Sequence, residues 1–227
     1  MNNQVLTPTQ RKAIRSDLYT TKSEQAADMT DPKISAFCDM CIGKEVLDLG
    51  CVDHDENNWK SKYWLHKALK SVAKKIVGLD YYEAGVVQLQ DRGFDVIQAD
   101  AQDFSIGHEF EVVTAGDLIE HIPNLDGFMR SVNKALTTNG QLVITTPNPW
   151  CWKYALYHLF RGKLEPMNPE HVSWFCLQTL EQLGRRYGFA VMSHKYLSRR
   201  RYERFAPLPT RIKHTTILVV FEKIAPV

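Results

Sequence analysis

No stretch of this chain is long and apolar enough to cross a bilayer. The longest strongly apolar run is TILVVF near the C-terminus, whereas a spanning helix needs about 20 such residues. The opening residues, MNNQVLTPTQRKAIR, lack the apolar core of a secretory signal, so the reading is a cytoplasmic protein. Cysteine is sparse and odd in number, five in all, which argues for reduced thiols rather than a disulfide framework. Cys38 and Cys41 form a lone Cys-x-x-Cys, and no second ligand pair stands near enough to complete a structural zinc site. Charge of one sign is also missing: 28 Lys and Arg against 26 Asp and Glu leave +2, too little to imply a nucleic-acid or membrane partner. There is no internal repeat and no low-complexity tract. Glycine is scarce where it would matter most. The stretch EVLDLGCVDHDENNW, Glu45 to Trp59, reads as a strand feeding a nucleotide loop, yet it holds a single glycine, Gly50. A dinucleotide's pyrophosphate needs several glycines for close backbone approach, so a dehydrogenase or sugar-nucleotide enzyme is disfavoured.

What is present is a chain of 227 residues, 44% hydrophobic, enough for one sizeable core. Strand-like runs fall at 45–49, 75–79, 95–99, 110–115, 141–146, 189–197 and 215–223. Helical patterns separate most of them, the order that builds a parallel sheet with helices on both faces. Between the fourth and fifth runs, Leu125, Phe128, Met129, Val132 and Leu136 share one helical face, with Asn124 as N-cap and Gly140 in the turn that follows. A second helix is expected from Leu177 to Tyr187. The last two runs have no helix between them and should form an antiparallel hairpin. The expected fold is α/β: a doubly wound, mostly parallel seven-stranded sheet ending in that hairpin. Residues 1–44 read as an N-terminal helical segment and 45–227 as the main domain, with 147–174 an aromatic-rich insertion.

Open parallel sheets bind ligands beyond the carboxyl ends of their strands. Here the first three strands end in Asp48-Leu49-Gly50, Asp80 and Asp100, and the fourth in AGDLIEH. Carboxylates at four successive strand ends suit a polyhydroxylated or cationic ligand, since an apolar crevice would be cheaper to bury. Over about residues 40–223 the chain resembles the class I S-adenosylmethionine-dependent methyltransferases, which have a Rossmann-like sheet of seven strands with a terminal hairpin. The resemblance implies that Asp48, Gly50 and Cys51 belong to the loop holding the methionine part of S-adenosyl-L-methionine. It places the ribose hydroxyls on Asp80, with Tyr81 beside it, and the adenine near Asp100 and Ala101. DLIEHIPN, with Asp117, and the later TTPNP match segments beside the transferred methyl. A sulfonium cofactor carries no phosphate, which explains how one glycine can serve. Val52 and His54 stand where the family usually has further glycines, and the loop from Asp48 to Asp80 is longer than the roughly twenty residues typical of such units.

The implied reaction moves a methyl group to a hydroxyl or amine of a small-molecule, sugar or lipid-linked acceptor. A hydroxyl needs a base, and His121 and His171 are the candidates, with Glu120 orienting His121. DLIEH with the later EH is also similar to a Glu-x-x-Glu-His and His set that binds a divalent ion in some RNA and quinone-precursor methyltransferases. Here that set would be Asp117, Glu120, His121 and His171, with positions 117, 120 and 121 on one side of a helical turn. Metal-free catalysis is the preferred reading, and a divalent metal and a non-catalytic relative that only binds the cofactor are the alternatives. The basic run SRRRYERF, with Arg199, Arg200 and Arg201, is by default a solvated loop and otherwise a contact for an anionic acceptor. Trp64 and Leu65 read as core packing, and His66 as a satisfied helix residue.

Overall fold

The computed structural model describes residues 26–55, 57–161, 168–199 and 207–227. Its elements are helix α1 (Pro32–Cys41), strand β1 (Glu45–Leu49), helix α2 (Leu65–Lys70), β2 (Lys75–Asp80), α3 (Glu83–Gln90), β3 (Val96–Gln98), β4 (Phe110–Gly116), α4 (Leu125–Ala135), β5 (Leu136–Pro147), α5 (Trp152–Arg161), α6 (Leu177–Arg186), β6 (Phe189–Leu197), α7 (Thr210–Lys213) and β7 (Thr216–Lys223). Two single-turn 3₁₀ helices, Asn58–Lys60 and Ile119–His121, lie after β1 and β4.

The strands form one sheet in the order β3-β2-β1-β4-β5-β7-β6. The first five are parallel to their neighbours, and β7 runs antiparallel between β5 and β6. All seven expected strands are therefore present and the last two pair antiparallel as expected, although a short helix, α7, lies between them where none was expected. The sheet is buried on both faces, and alternate residues of each strand go to opposite sides. Leu47, Leu49, Val77, Leu79, Val113, Ala115, Leu142 and Ile144 pack with Phe128, Val132 and Leu180 of α4 and α6. Val46, Ile76, Val112, Val143, Leu218 and Val220 pack on the other face with Ile34, Phe37, Cys38 and Cys41 of α1 and Ala68 and Leu69 of α2. Helix α1 thus shares a core with the strands, although it precedes the boundary expected at residue 44. Cys38 and Cys41 are buried core thiols.

Helix α4 starts where its sequence pattern does, with the Asn124 side chain accepting a hydrogen bond from the Gly127 N–H at 3.0 Å. The turn after it departs from expectation: Asn139, at φ 61°, takes the left-handed conformation next to Gly140, a conformation Asn tolerates better than most residues. Residues 152–161 of the aromatic-rich insertion form α5, and its Leu156, Leu159 and Phe160 are exposed. No helix among the described residues is long and apolar enough to span a membrane. Arg200, Arg201 and the first 25 residues of the N-terminal segment lie outside the described residues.

Candidate functional site

A cleft of about 510 Å³ opens at the carboxyl ends of β1, β2, β3 and β4. Gly50, Asp80, Tyr81, Asp100, Ala101 and Asp117 line it, and His121 stands at its edge. Asp48 and Cys51 do not. Asp48 is buried beneath the floor, where Oδ2 lies 2.9 Å from His66 Nδ1 and Oδ1 accepts from the Thr114 hydroxyl at 2.7 Å. It ties β1 to β4 and α2, and sequence reasoning did not foresee this use of His66. The Cys51 thiol, its pKa raised by burial and by the neighbouring Asp48 and Asp80, packs into a small core with Val52, Trp64, Val86 and Leu89.

The loop after β1 solves the problem of its missing glycines in a specific way. Gly50 has φ 73°, and Asp53 and His54 both have φ 59°, so two non-glycine residues hold the left-handed turns. Asp and His are among the side chains that tolerate this region best. Asp53 is anchored there by Asn58, whose side-chain amide donates to the Asp53 carbonyl at 2.7 Å and carboxylate at 2.9 Å. Val52, where a glycine is usual, turns away from the cleft into a hollow made by a glycine elsewhere. A Cβ on Gly85 of α3 would sit 2.4 Å from Val52 Cγ1.

Asp80 holds this loop in place. Its Oδ2 accepts the Val52 N–H at 2.9 Å and its Oδ1 the Tyr82 N–H at 3.0 Å, while its cleft side stays open. An ionised carboxylate has roughly four acceptor positions, so about two remain for hydroxyls of a ligand. Asp100 faces the same space and accepts from the Gln102 N–H at 2.9 Å.

Farther along the cleft, two groups of side chains gather around the end of β4. Asp117 is left-handed, φ 52°, and its N–H is held by the carbonyl and hydroxyl of Thr145. Its Oδ2 lies 2.6 Å from Lys33 Nζ of α1. Because Asp117 is outside the 3₁₀ turn, it does not face the same way as Glu120 and His121. The structure brings together Glu120, His121 and His171, whose ligating atoms all lie within 4.8 Å of one another. His171 is delivered by the end of the insertion, where the N–H groups of Val172 and Ser173 both donate to the Glu120 carbonyl. The His121 and His171 rings are 4.6 Å apart, edge to face. His54 and Glu170 extend the cluster, with the His54 ring 5.1 Å from that of His121.

Glu120 is 1% exposed, and neither of its carboxylate oxygens has a hydrogen-bond partner among the described residues. Burial, with repulsion from Asp117, pushes its pKa up to about 8. Burial and the neighbouring His171 and His54 lower the pKa of His121, leaving its imidazole neutral near neutral pH. A buried acid without partners beside two imidazoles is an arrangement that folding alone does not favour.

The chain matches the methyltransferase-domain family over residues 25–194. It belongs to the class I S-adenosylmethionine-dependent methyltransferases. A probable S-adenosylmethionine-dependent methyltransferase of Mycolicibacterium smegmatis is 25% identical over 154 residues, 66% of this chain and 54% of the relative. A ubiquinone biosynthesis O-methyltransferase of Pseudomonas entomophila is 30% identical over 114 residues, 47% of this chain and 45% of the relative. The chain thus spans about half the length of the curated relatives it matches. Among solved structures, an S-adenosylmethionine-dependent methyltransferase from Archaeoglobus fulgidus superposes with a TM-score of 0.60 at 15% identity, covering 86% of this chain and 94% of that one. The magnesium protoporphyrin IX methyltransferase of Synechocystis, solved with bound S-adenosylhomocysteine, gives 0.53 at 13% identity, covering 98% and 90%. These last two establish the shared methyltransferase fold. The cleft fits the family's cofactor in chemistry as well as place, because Asp80 keeps acceptor positions free where a ribose hydroxyl pair is expected.

Proposed function

We propose that this methyltransferase moves the methyl group of S-adenosyl-L-methionine to a hydroxyl of a small-molecule, sugar or lipid-linked acceptor, and that Glu120, His121 and His171 receive that hydroxyl. The observation that carries the reading is the convergence of these three side chains at the β4 end of the cleft, around a buried carboxylate whose oxygens have no hydrogen-bond partner within bonding distance among the described residues. When bound, the cofactor supplies an electrophilic methyl on a sulfonium sulfur, open to in-line displacement by the acceptor oxygen. Asp80 holds the ribose, Tyr81, Asp100 and Ala101 border the adenine, and Gly50 lets the backbone of the β1 loop approach. Neutral His121 accepts the hydroxyl proton at a ring nitrogen, and His171 fixes its orientation. Alignment of the oxygen with the methyl supplies most of the rate. Oxygen as the acceptor atom accords with the name of the ubiquinone biosynthesis relative.

A second reading is favoured by the orphaned Glu120 carboxylate: the trio would hold a divalent cation. One carboxylate and two imidazoles suit a borderline metal, and Asp117, turned to Lys33, would not be among the ligands. Such an ion would lower the pKa of a coordinated acceptor hydroxyl. Methyl transfer from labelled cofactor into hydroxylated acceptors, assayed after exhaustive chelation and again with magnesium or manganese restored, tests both. Full activity in chelator leaves His121 as the base. Activity that returns only with the ion assigns the trio to metal. Unchanged turnover in both His121→Ala and His171→Ala contradicts either version.

A further inference from the structure

The turn that His54 occupies gives no reason for its side chain. At φ 59° the backbone is left-handed, a conformation glycine takes as readily as any other, and glycine is usual at this place in the family. The imidazole nevertheless has a defined setting. It lines the main cleft, with its ring 5.1 Å from that of His121 and its Nδ1 3.9 Å from Glu170 Oε2. One ligating atom each of His54, His121 and Glu170 all fall within 4.8 Å of one another. Three separate parts of the chain thus meet: the β1 loop through His54, the turn after β4 through His121, and the end of the insertion through Glu170. Glu170 sits in the same tight turn as His171. There Asn168 accepts the Glu170 N–H on its side chain at 3.1 Å and the His171 N–H on its carbonyl at 3.1 Å. The N–H groups of Val172 and Ser173 fasten this segment to Glu120, and His54 brings the β1 loop against it.

Resting on the reading of Glu120, His121 and His171 as the acceptor site, we propose that His54 is a positioning residue that couples the cofactor loop to the acceptor side chains. A nucleoside in the cleft fixes the β1 loop, the loop holds the His54 ring against His121 and Glu170, and Glu170 holds the turn that delivers His171. At 3.9 Å the contact between His54 and Glu170 is looser than a hydrogen bond. It closes when the cleft is filled, as contacts in active sites commonly do only in the complex. The acceptor side chains come into register once the cofactor is bound, so cofactor precedes acceptor. A glycine at position 54 would build the same turn without this link.

Amide hydrogen exchange of the full chain, read at residues 171–173 with and without S-adenosylhomocysteine, tests this without needing the acceptor. In the wild type the ligand is expected to slow exchange there by roughly fivefold or more, within the usual range of coupling between sites. In His54→Gly, a variant that suits the left-handed turn and so keeps the fold, the slowing should drop below about twofold. Linkage is reciprocal, so calorimetry should show His54→Gly losing no more affinity for S-adenosylhomocysteine than the protection it loses. His54→Asn tolerates the same backbone and places an amide where Nδ1 stood, and it should recover most of the protection. Glu170→Ala should reproduce the loss, and the double variant with His54→Gly should be no worse than either alone. Equal protection in wild type and His54→Gly, no protection in the wild type, or strictly additive losses would overturn the coupling. An affinity loss well beyond the lost protection would also overturn it, by assigning the ring to the ligand directly. Unchanged turnover in both His121→Ala and His171→Ala would instead overturn the acceptor reading on which the proposal rests.

Discussion

Asp80→Asn is the substitution whose effect can be worked out most fully from the structure. The carboxylate does two jobs at once: it takes the N–H groups of Val52 and Tyr82 at 2.9 and 3.0 Å, and it turns its remaining acceptor positions to the cleft. Asn preserves the volume and one carbonyl oxygen. Its amide, however, must face either one of those N–H groups or the ribose, and it removes the negative charge in every case. A hydrogen bond to a charged group is worth about 1.5–3 kcal/mol, so the affinity for S-adenosylhomocysteine should fall by about 10-fold to 150-fold, at roughly 1.4 kcal/mol per tenfold. Methylthioadenosine keeps the same ribose and should lose as much. Asp80→Ala should also lower the melting temperature, because two inward-facing N–H groups lose their acceptor at about 1–3 kcal/mol each. Calorimetric titration and thermal unfolding measure both effects. An Asn variant that binds both nucleosides within threefold of wild type would refute the assignment of β2 to the ribose.

Other outcomes follow from the same geometry. Gly85→Ala should weaken cofactor binding and lower stability by pushing Val52 out of its hollow, since the added Cβ would stand 2.4 Å from Val52 Cγ1. Val52→Ala combined with Gly85→Ala should recover part of the loss, and strict additivity in the double variant would show that the two positions are not complementary. Gly188→Ala, at φ 74° with its Cβ position 2.2 Å from the Ala225 carbonyl oxygen, should cost about 1–3 kcal/mol in denaturant unfolding, without changing cofactor affinity once folded. Replacing Arg199, Arg200 and Arg201 together by Gln should leave S-adenosylhomocysteine binding unchanged. If the acceptor is anionic, it should raise the acceptor KM most at low ionic strength, where exposed charges are least screened. Identical kinetics at low and high salt would assign the run to a solvated loop.

The central strands β1, β2, β4, β5 and β7 were legible because strands buried on both faces read as short continuous apolar runs, whereas the edge strands β3 and β6 are largely half-buried or exposed. Asp80, Tyr81, Asp100, Ala101 and Asp117 were legible for a related reason: in a parallel sheet the residue after a strand faces the ligand edge. Asp48 obeys the same rule of sequence position yet serves another purpose. Its side chain alternates to the α2 face, where His66 and Thr114 consume both oxygens, and no pattern along the chain announces a partner 18 residues away. The role of Gly85 was equally silent, because its meaning comes from the volume of Val52 across the loop. His121 and Glu120 share a turn and could be paired by spacing. Asp117 seemed to belong with them only so long as the turn was taken to be helical, and its φ of 52° sends it to Lys33 instead. The approach of His171 depends on backbone hydrogen bonds to Glu120, a tertiary fact with no local signature.

The most direct test of the central claim is a crystal structure of the chain with S-adenosylhomocysteine bound. The account predicts the ribose hydroxyls on Asp80, the adenine beside Asp100 and Ala101, and the sulfur directed toward Glu120, His121 and His171. A nucleoside seated elsewhere, or a sulfur turned away from those three side chains, would contradict it.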